Sequence, residues 1–257
     1  MTVRLIAVAF LLLGFAPPPR AVADEAHPPS GDEALAPDWS GLYVGVHGGY
    51  GRSSADWRFP FFQYYNLAPG EGLSADPKGA LAGGHLLFNY QFGRFVAGIE
   101  GAFAGKTISD ERVGGVVPDY PNDRFTTRID SLATLSGRLG YAFDNWLLYA
   151  KGGYATAEIK LDALSGPPGA GVAAAIEASQ DGRTLGGGIE YMIAPRIVLG
   201  LEYQFVKLDG ERHSTTTTGT VEGLPINIDL EDIELHAVTA RVSIQLGADL
   251  YEPESLK

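Results

Sequence analysis

The chain has no cysteine among its 257 residues, so it can form no disulfide framework and no thiolate metal site. After Phe15 it has no apolar run long enough to cross a membrane as a helix. If it spans a membrane, it does so as a closed barrel, because only helices and barrels satisfy their backbone groups in lipid. Basic residues are scarce too: 19 Lys and Arg stand against 31 Asp and Glu, a net charge of −12. That balance speaks against nucleic acid as a partner, since phosphate-backbone binding needs a basic footprint.

The N-terminus carries a targeting pattern. Arg4 precedes an apolar core from Leu5 to Phe15, and Ala21-Val22-Ala23 offers small residues for cleavage. This predicts a secretory signal peptide over residues 1–23. Export of a cysteine-free chain fits a periplasmic or outer-membrane destination. Residues 24–37 are rich in Pro, Asp and Glu and read as an unstructured leader. A β-barrel domain is expected over residues 38–247, followed by a tail, 248–257, without a strand pattern.

One unit repeats through the domain. An alternating strand ends in an aromatic cluster, makes a short turn and starts another strand. The junctions are Asn89–Phe95, Gly140–Trp146 and Glu190–Ile197, and their tyrosines Tyr90, Tyr141 and Tyr191 lie about fifty residues apart. Strands are expected over 39–50, 80–92, 95–104, 129–143, 146–157, 184–193, 197–208 and 233–246. Long polar connections, 51–78, 105–127, 158–182 and 209–232, alternate with the short turns. The pattern predicts an all-β fold, an eight-stranded antiparallel transmembrane β-barrel with short periplasmic turns and four long extracellular loops.

Side-chain parity divides the strands into two faces. Flanking Gly93-Arg94 are Phe92 and Phe95; flanking Asp144-Asn145 are Phe143 and Trp146; a three-residue turn, Ala194-Pro195-Arg196, pairs Ile193 with Ile197. Each extends into an apolar row, read as the lipid face: Leu86 and Phe88, Ala97 and Ile99, Leu135 and Leu139, Leu148 and Ala150, Leu185 and Ile189, Leu199 and Leu201. Tyr90, Phe92, Phe95, Tyr141, Phe143, Trp146 and Tyr191 form the expected periplasmic aromatic girdle, since such rings prefer the interface. The opposite, polar parity carries Glu100, Arg138, Lys151, Glu190, Glu202 and Arg241. Three acids and three bases inside a narrow barrel are expected to pair as a lumen network that plugs it, because an unpaired buried charge is expensive. A path for ions or small solutes along the same residues is the alternative.

Several segments resemble the small eight-stranded outer-membrane protein family of alpha-proteobacteria, of the porin-family or outer-membrane immunogenic protein type. They are Trp39–Gly45, Gly98–Gly101, Gly137–Ala142, Leu148–Gly153, Gly188–Tyr191, Leu201–Tyr203 and Val238–Val242, spread over about residues 39–246. The resemblance implies a Gram-negative outer-membrane location, contact with lipid and lipopolysaccharide, and insertion by the barrel-assembly machinery. It also implies a terminal aromatic on the last strand, where this chain has Leu246 and further residues.

Catalytic and cofactor signals are weak. No His, Asp and Glu cluster has metal-ligand spacing, and no cofactor is expected. His47 and His85 are expected to face inward and His236 outward. His213-Ser214 is the one adjacent Ser-His pair, and it falls in the fourth connection, so the protein is expected not to be an enzyme. Gly186-Gly187-Gly188 precedes no helix and is not a phosphate loop. The first connection holds Trp57, Phe59, Phe61, Phe62, Tyr64 and Tyr65, read as an outer girdle or small loop core, or else as a contact surface for a host or matrix molecule. The fourth is acidic, with Asp209, Glu211, Glu222, Asp229, Glu231 and Asp232, and reads as a solvated face or a cation bridge to lipopolysaccharide. The leading expectation is a non-enzymatic barrel that supports the envelope and presents surface loops, with a small porin and an adhesin as alternatives.

Overall fold

The computed structural model describes residues 37–58, 72–113, 124–165, 172–216, 218–219, 223 and 225–246. The expected signal peptide, most of the expected leader and the expected tail lie outside these residues. The strands are β1 (Gly41–Arg58), β2 (Gly72–Ala75), β3 (Lys78–Phe92), β4 (Phe95–Val113), β5 (Arg124–Phe143) and β6 (Trp146–Ser165). They continue with β7 (Val172–Ala194), β8 (Ile197–Leu208), β9 (Arg212–Thr216), β10 (Thr218–Gly219), β11 (Pro225–Leu230) and β12 (Ile233–Leu246).

Eight of these, β1, β3 to β8 and β12, pair antiparallel with their neighbours in order. The first and last also pair with each other, from Leu42 opposite Leu246 to Ser54 opposite Glu234, and close the ring. Closure removes every sheet edge from the wall, as a lipid-facing structure requires. Burial alternates along each wall strand, most regularly in β12. The outward rows are fully apolar over the middle of the wall, where Val46, Ile99 and Leu139 are 63%, 62% and 69% exposed. That is the reverse of a soluble barrel, which keeps its apolar rows inside.

Three short turns join the strand pairs at one end. Gly93 and Asp144 hold positive φ, 62° and 50°, at the first central position, as a type II′ turn requires. The third turn differs from its expected form. Ala194, not Ile193, lies opposite Ile197, so the turn is Pro195-Arg196 and Ile193 is a bulge between Met192 and Ala194. Pro195 followed by Arg196 at φ 72° fits a type II turn, which splays strands, and the bulge beside it takes up the mismatch. Because one residue is extra, Ile193 and Ile197 both still face outward.

At the other end the strands run well past their expected limits. Much of 105–127 and 158–182, expected as loop, is strand: β4 reaches Val113, β5 begins at Arg124, β6 reaches Ser165 and β7 begins at Val172. Bulges between Gly105 and Ile108 and between Ile129 and Ser131 reset the side-chain period there, which disguises the continuation. The fourth connection is also partly ordered. β9 and β11 form a hairpin, β11 pairs the end of β1, and β10 pairs the start of β7.

The inner face is not polar throughout, contrary to the expectation of a polar inner row. Near the short turns, Trp39, Tyr43, Leu87, Val96, Ala142, Leu147, Met192 and Val198 form a buried apolar cluster. Toward the long connections a second cluster includes Leu81, Ile129, Leu132, Ile159, Ile176, Val206, Leu208, Ile233 and Leu235. An eight-stranded interior is only wide enough to be filled by side chains, and apolar ones fill it wherever no charge needs a partner.

Candidate functional site

Between the two apolar clusters lies a belt of buried charge. Each of six strands contributes one member: Glu100 from β4, Arg138 from β5, Lys151 from β6, Glu190 from β7, Glu202 from β8 and Arg241 from β12. All six are buried. The remaining wall strands, β1 and β3, contribute His47 and His85 at the edge of the belt.

Neighbouring glycines make room for these long side chains. Arg138 lies opposite Gly98, Lys151 opposite Gly186, Glu202 opposite Gly188, and Gly200 faces both Glu190 and Arg241. A Cβ on Gly98 would collide with Asn89 Oδ1 and stand 3.3 Å from Arg138 Cγ. Glycine weakens a strand interior, and its repeated use here follows from the bulk of the facing charge.

The belt has two parts. In the first, Lys151 Nζ donates to Glu100 Oε1 at 2.7 Å and lies 2.8 Å from Glu202 Oε1. Arg241 completes the square, with Nη2 donating to Glu100 and Nη1 to Glu202. In the second, Arg138 makes a two-pronged contact with Glu190, at 3.0 and 2.9 Å. Such fork-to-carboxylate pairs combine geometric specificity with strength. Arg138 and Lys151 are like charges directly opposite each other across β5 and β6. They avoid conflict because each turns to different acids.

Tyr149 joins the parts. Its hydroxyl donates to Glu202 Oε2 at 2.6 Å and accepts from Arg241 Nη1 at 3.2 Å. Its ring lies under the Arg138 guanidinium, 4.5 Å from centroid to Cζ, within cation–π range. Asn89 Oδ1 accepts from Arg138 Nε at 3.1 Å. Sequence reasoning singled out neither Tyr149 nor Asn89, although both carry the inward parity. The facing glycines were the available signal.

A cavity of about 20 Å³ adjoins the first part, lined by His47, Glu100, Lys151, Glu202, Thr239 and Arg241. That is room for about one water molecule. Leu81, Ala104 and Leu132 line its other side. His47 Nδ1 lies 3.3 Å from His85 Nδ1, and His85 Nε2 lies 2.8 Å from Ser243 Oγ. This Ser-His contact, distinct from the sequence pair His213-Ser214, is buried in the interior.

The aromatic residues named for the girdle face outward around the short turns, with Tyr191 half-buried. Phe92 stacks on Phe95 at 6.0 Å, Phe95 meets Tyr141 edge-on at 5.5 Å, and Trp146 meets Tyr191 at 4.5 Å between centroids. Phe59, Phe61, Phe62, Tyr64 and Tyr65 lie outside the described residues. Trp57 belongs to β1, opposite Leu73 of β2 and Leu230 of β11. In the acidic fourth connection, two carboxylates are ion-paired while staying partly exposed: Asp229 with Arg212, and Asp232 with Lys207 at 2.9 Å. The hydrogen bond from Arg212 holds the Asp229 carboxyl below the usual range. His213 and Ser214 lie in β9, opposite Ile228 and Asn227 of β11.

Comparison with known proteins agrees with this architecture. The family model described as outer membrane protein beta-barrel domain matches residues 7–244. The 31 kDa outer-membrane immunogenic proteins of Brucella melitensis and Brucella suis are each 26% identical over 180 residues, 68% of this chain and 73% of theirs. Among solved structures, the outer membrane protease OmpT from Escherichia coli is similar with a TM-score of 0.56 at 9% identity, covering 80% of this chain and 97% of that one. The outer membrane protein OprG from Pseudomonas aeruginosa gives 0.50 at 12% identity, covering 80% and 97%. At these identities the likeness is one of fold.

Proposed function

The chain belongs to the outer membrane protein β-barrel domain family and resides in the Gram-negative outer membrane, and on that premise we propose that it is a sealed, non-conducting and non-enzymatic barrel. Its role is to anchor an extracellular sheet in the membrane and to add stiffness to the envelope. The observation that carries this reading is the stacking of the interior: a charge belt with every member paired, closed on both sides by buried apolar side chains. A conducting pore needs a continuous wet path, and the cavity that adjoins the belt among the described residues has room for about one water.

With the short turns periplasmic, as in barrels of this type, the longer strands continue the wall outside. β4 to β7 and the β9–β11 hairpin then form the surface on which the connecting segments are displayed. Both members of the His85 and Ser243 pair are buried, which supports a non-enzymatic role. Proteoliposomes loaded with potassium ions or a small sugar test the proposal. Their leakage is expected to match that of empty vesicles, and saturable or size-selective efflux would overturn it.

A further inference from the structure

The outward rows change character abruptly on one side of the barrel. Arg52 of β1 lies opposite Lys78 of β3 on one flank and His236 of β12 on the other. All three are exposed and share the outward parity. The outward row just below them is apolar, with Tyr50 opposite Ala80 and Val238. Leu42 and Arg52 mark the ends of the apolar stretch on β1 and are ten residues apart. That is roughly 34 Å along a strand, or about 25 Å along the barrel axis at the usual tilt. The three basic side chains therefore sit where the outer-leaflet headgroups begin, given periplasmic short turns.

These bases differ from others along the same cross-strand row. Farther round the wall, Arg128 is held by Asp162 at 2.9 Å and Lys160 by Glu177 at 2.9 Å. Lys207, nearby on β8, is held by Asp232 at 2.9 Å. Among the described residues, Arg52 is ion-paired only with Asp76, at 3.9 Å, the outer limit of an ion pair, and its side chain is 71% exposed. Lys78 faces Arg52 and Ser109 across its two neighbouring strands, with no acid opposite. His236 is oriented by its surroundings: Tyr203 Oη lies 2.7 Å from Nδ1, and Phe205 packs on the ring at 5.0 Å between centroids. With the hydroxyl donating to Nδ1, the imidazole keeps an N–H at Nε2 for another acceptor.

We propose that Arg52, Lys78 and His236 form a phosphate-binding row that takes the phosphorylated headgroup of an outer-leaflet glycolipid, lipopolysaccharide. Strand spacing sets the row at roughly 10 Å across, a span suited to one phosphorylated sugar headgroup. The Arg52 fork and the Lys78 ammonium supply charge-assisted donors to phosphate oxygens, and the His236 N–H adds a third. Tyr50, Val238 and Tyr203, half-exposed below the row, offer an apolar track for the acyl chains of the same molecule.

Native mass spectrometry of the full chain refolded in detergent tests this with three probes: purified lipopolysaccharide, the same glycolipid stripped of phosphate, and inorganic phosphate. Intact lipopolysaccharide is expected to bind, the stripped form to bind at least tenfold more weakly, and inorganic phosphate neither to bind nor to compete at equal concentration. Arg52→Ala with Lys78→Ala is expected to lower affinity for the intact glycolipid by roughly tenfold or more. Arg128→Ala with Lys160→Ala is expected to leave it within twofold. Heat-dependent gel mobility checks that each variant is folded, and Arg52→Lys with Lys78→Arg keeps the charge if the alanine pair fails to fold. The proposal is overturned if the alanine pair binds as well as the parent chain, if the control pair loses as much, if the stripped glycolipid binds equally, or if inorganic phosphate competes.

Discussion

Arg138 and Glu190 illustrate how a buried charge depends on its partner. Both are buried, and the two-pronged contact between them supplies the main neutralising interaction for each. Removing one partner leaves the other uncompensated, which costs about 3–5 kcal/mol, whereas replacing both with apolar residues of similar size is often close to neutral. Glu190→Gln is therefore expected to lower stability in urea unfolding by that amount, and Arg138→Met with Glu190→Met to lower it by less. Tyr149→Phe removes a hydroxyl that both donates to Glu202 and accepts from Arg241. It is expected to cost about 1–3 kcal/mol by the same measurement, because it leaves buried charged groups short of a partner. Gly98→Ala puts a methyl group against Asn89 and Arg138 and is expected to destabilise by about 1–3 kcal/mol, the usual cost of overpacking.

The β9–β11 hairpin carries a test of its own, because Arg212 and Asp229 join its strands. The Asp229 carboxyl titrates below the ordinary aspartate range through its hydrogen bond to Arg212. The pair's contribution is thus present above about pH 4, the unfolded value, and is lost as pH falls through the lower folded value. Amide chemical shifts of 212–216 and 226–230 are expected to hold steady from pH 7 to about 4 and to move toward unstructured values below it. Movement already complete at pH 5 would contradict the assignment.

How far these elements could be read in advance depended on contrast between their faces. In the membrane, alternation is sharp: Leu199 and Leu201 face outward while Glu202 faces inward, so the strands, two of the three turns and all six belt charges were legible. Beyond the membrane both faces of a strand tolerate polar residues. Outward Lys160 and Glu177 alternate with inward Ile159 and Ile176, but the bulges at Ile129 and Gly105 put the pattern out of phase, and the strands read as loop. The belt's charges were visible through parity. Tyr149 was not, because an inward tyrosine looks like core until the acid and base on either side of its hydroxyl are known.

For the molecule as a whole, closure of the ring and filling of its interior are separate matters. Pairing of β1 with β12 closes the wall, yet the same wall can enclose a channel or a plug. The fill decides. Here the belt is bracketed by the Tyr43, Leu147 and Val198 cluster on one side and the Leu132, Ile159 and Leu235 cluster on the other. Single-channel recording of the folded full-length chain in planar bilayers distinguishes the two directly. The expected trace is silent across applied voltages of both signs, in the parent chain and in Glu100→Gln alike. Stable, repeated openings whose size changes when Glu100 or Arg138 is neutralised would contradict a sealed interior.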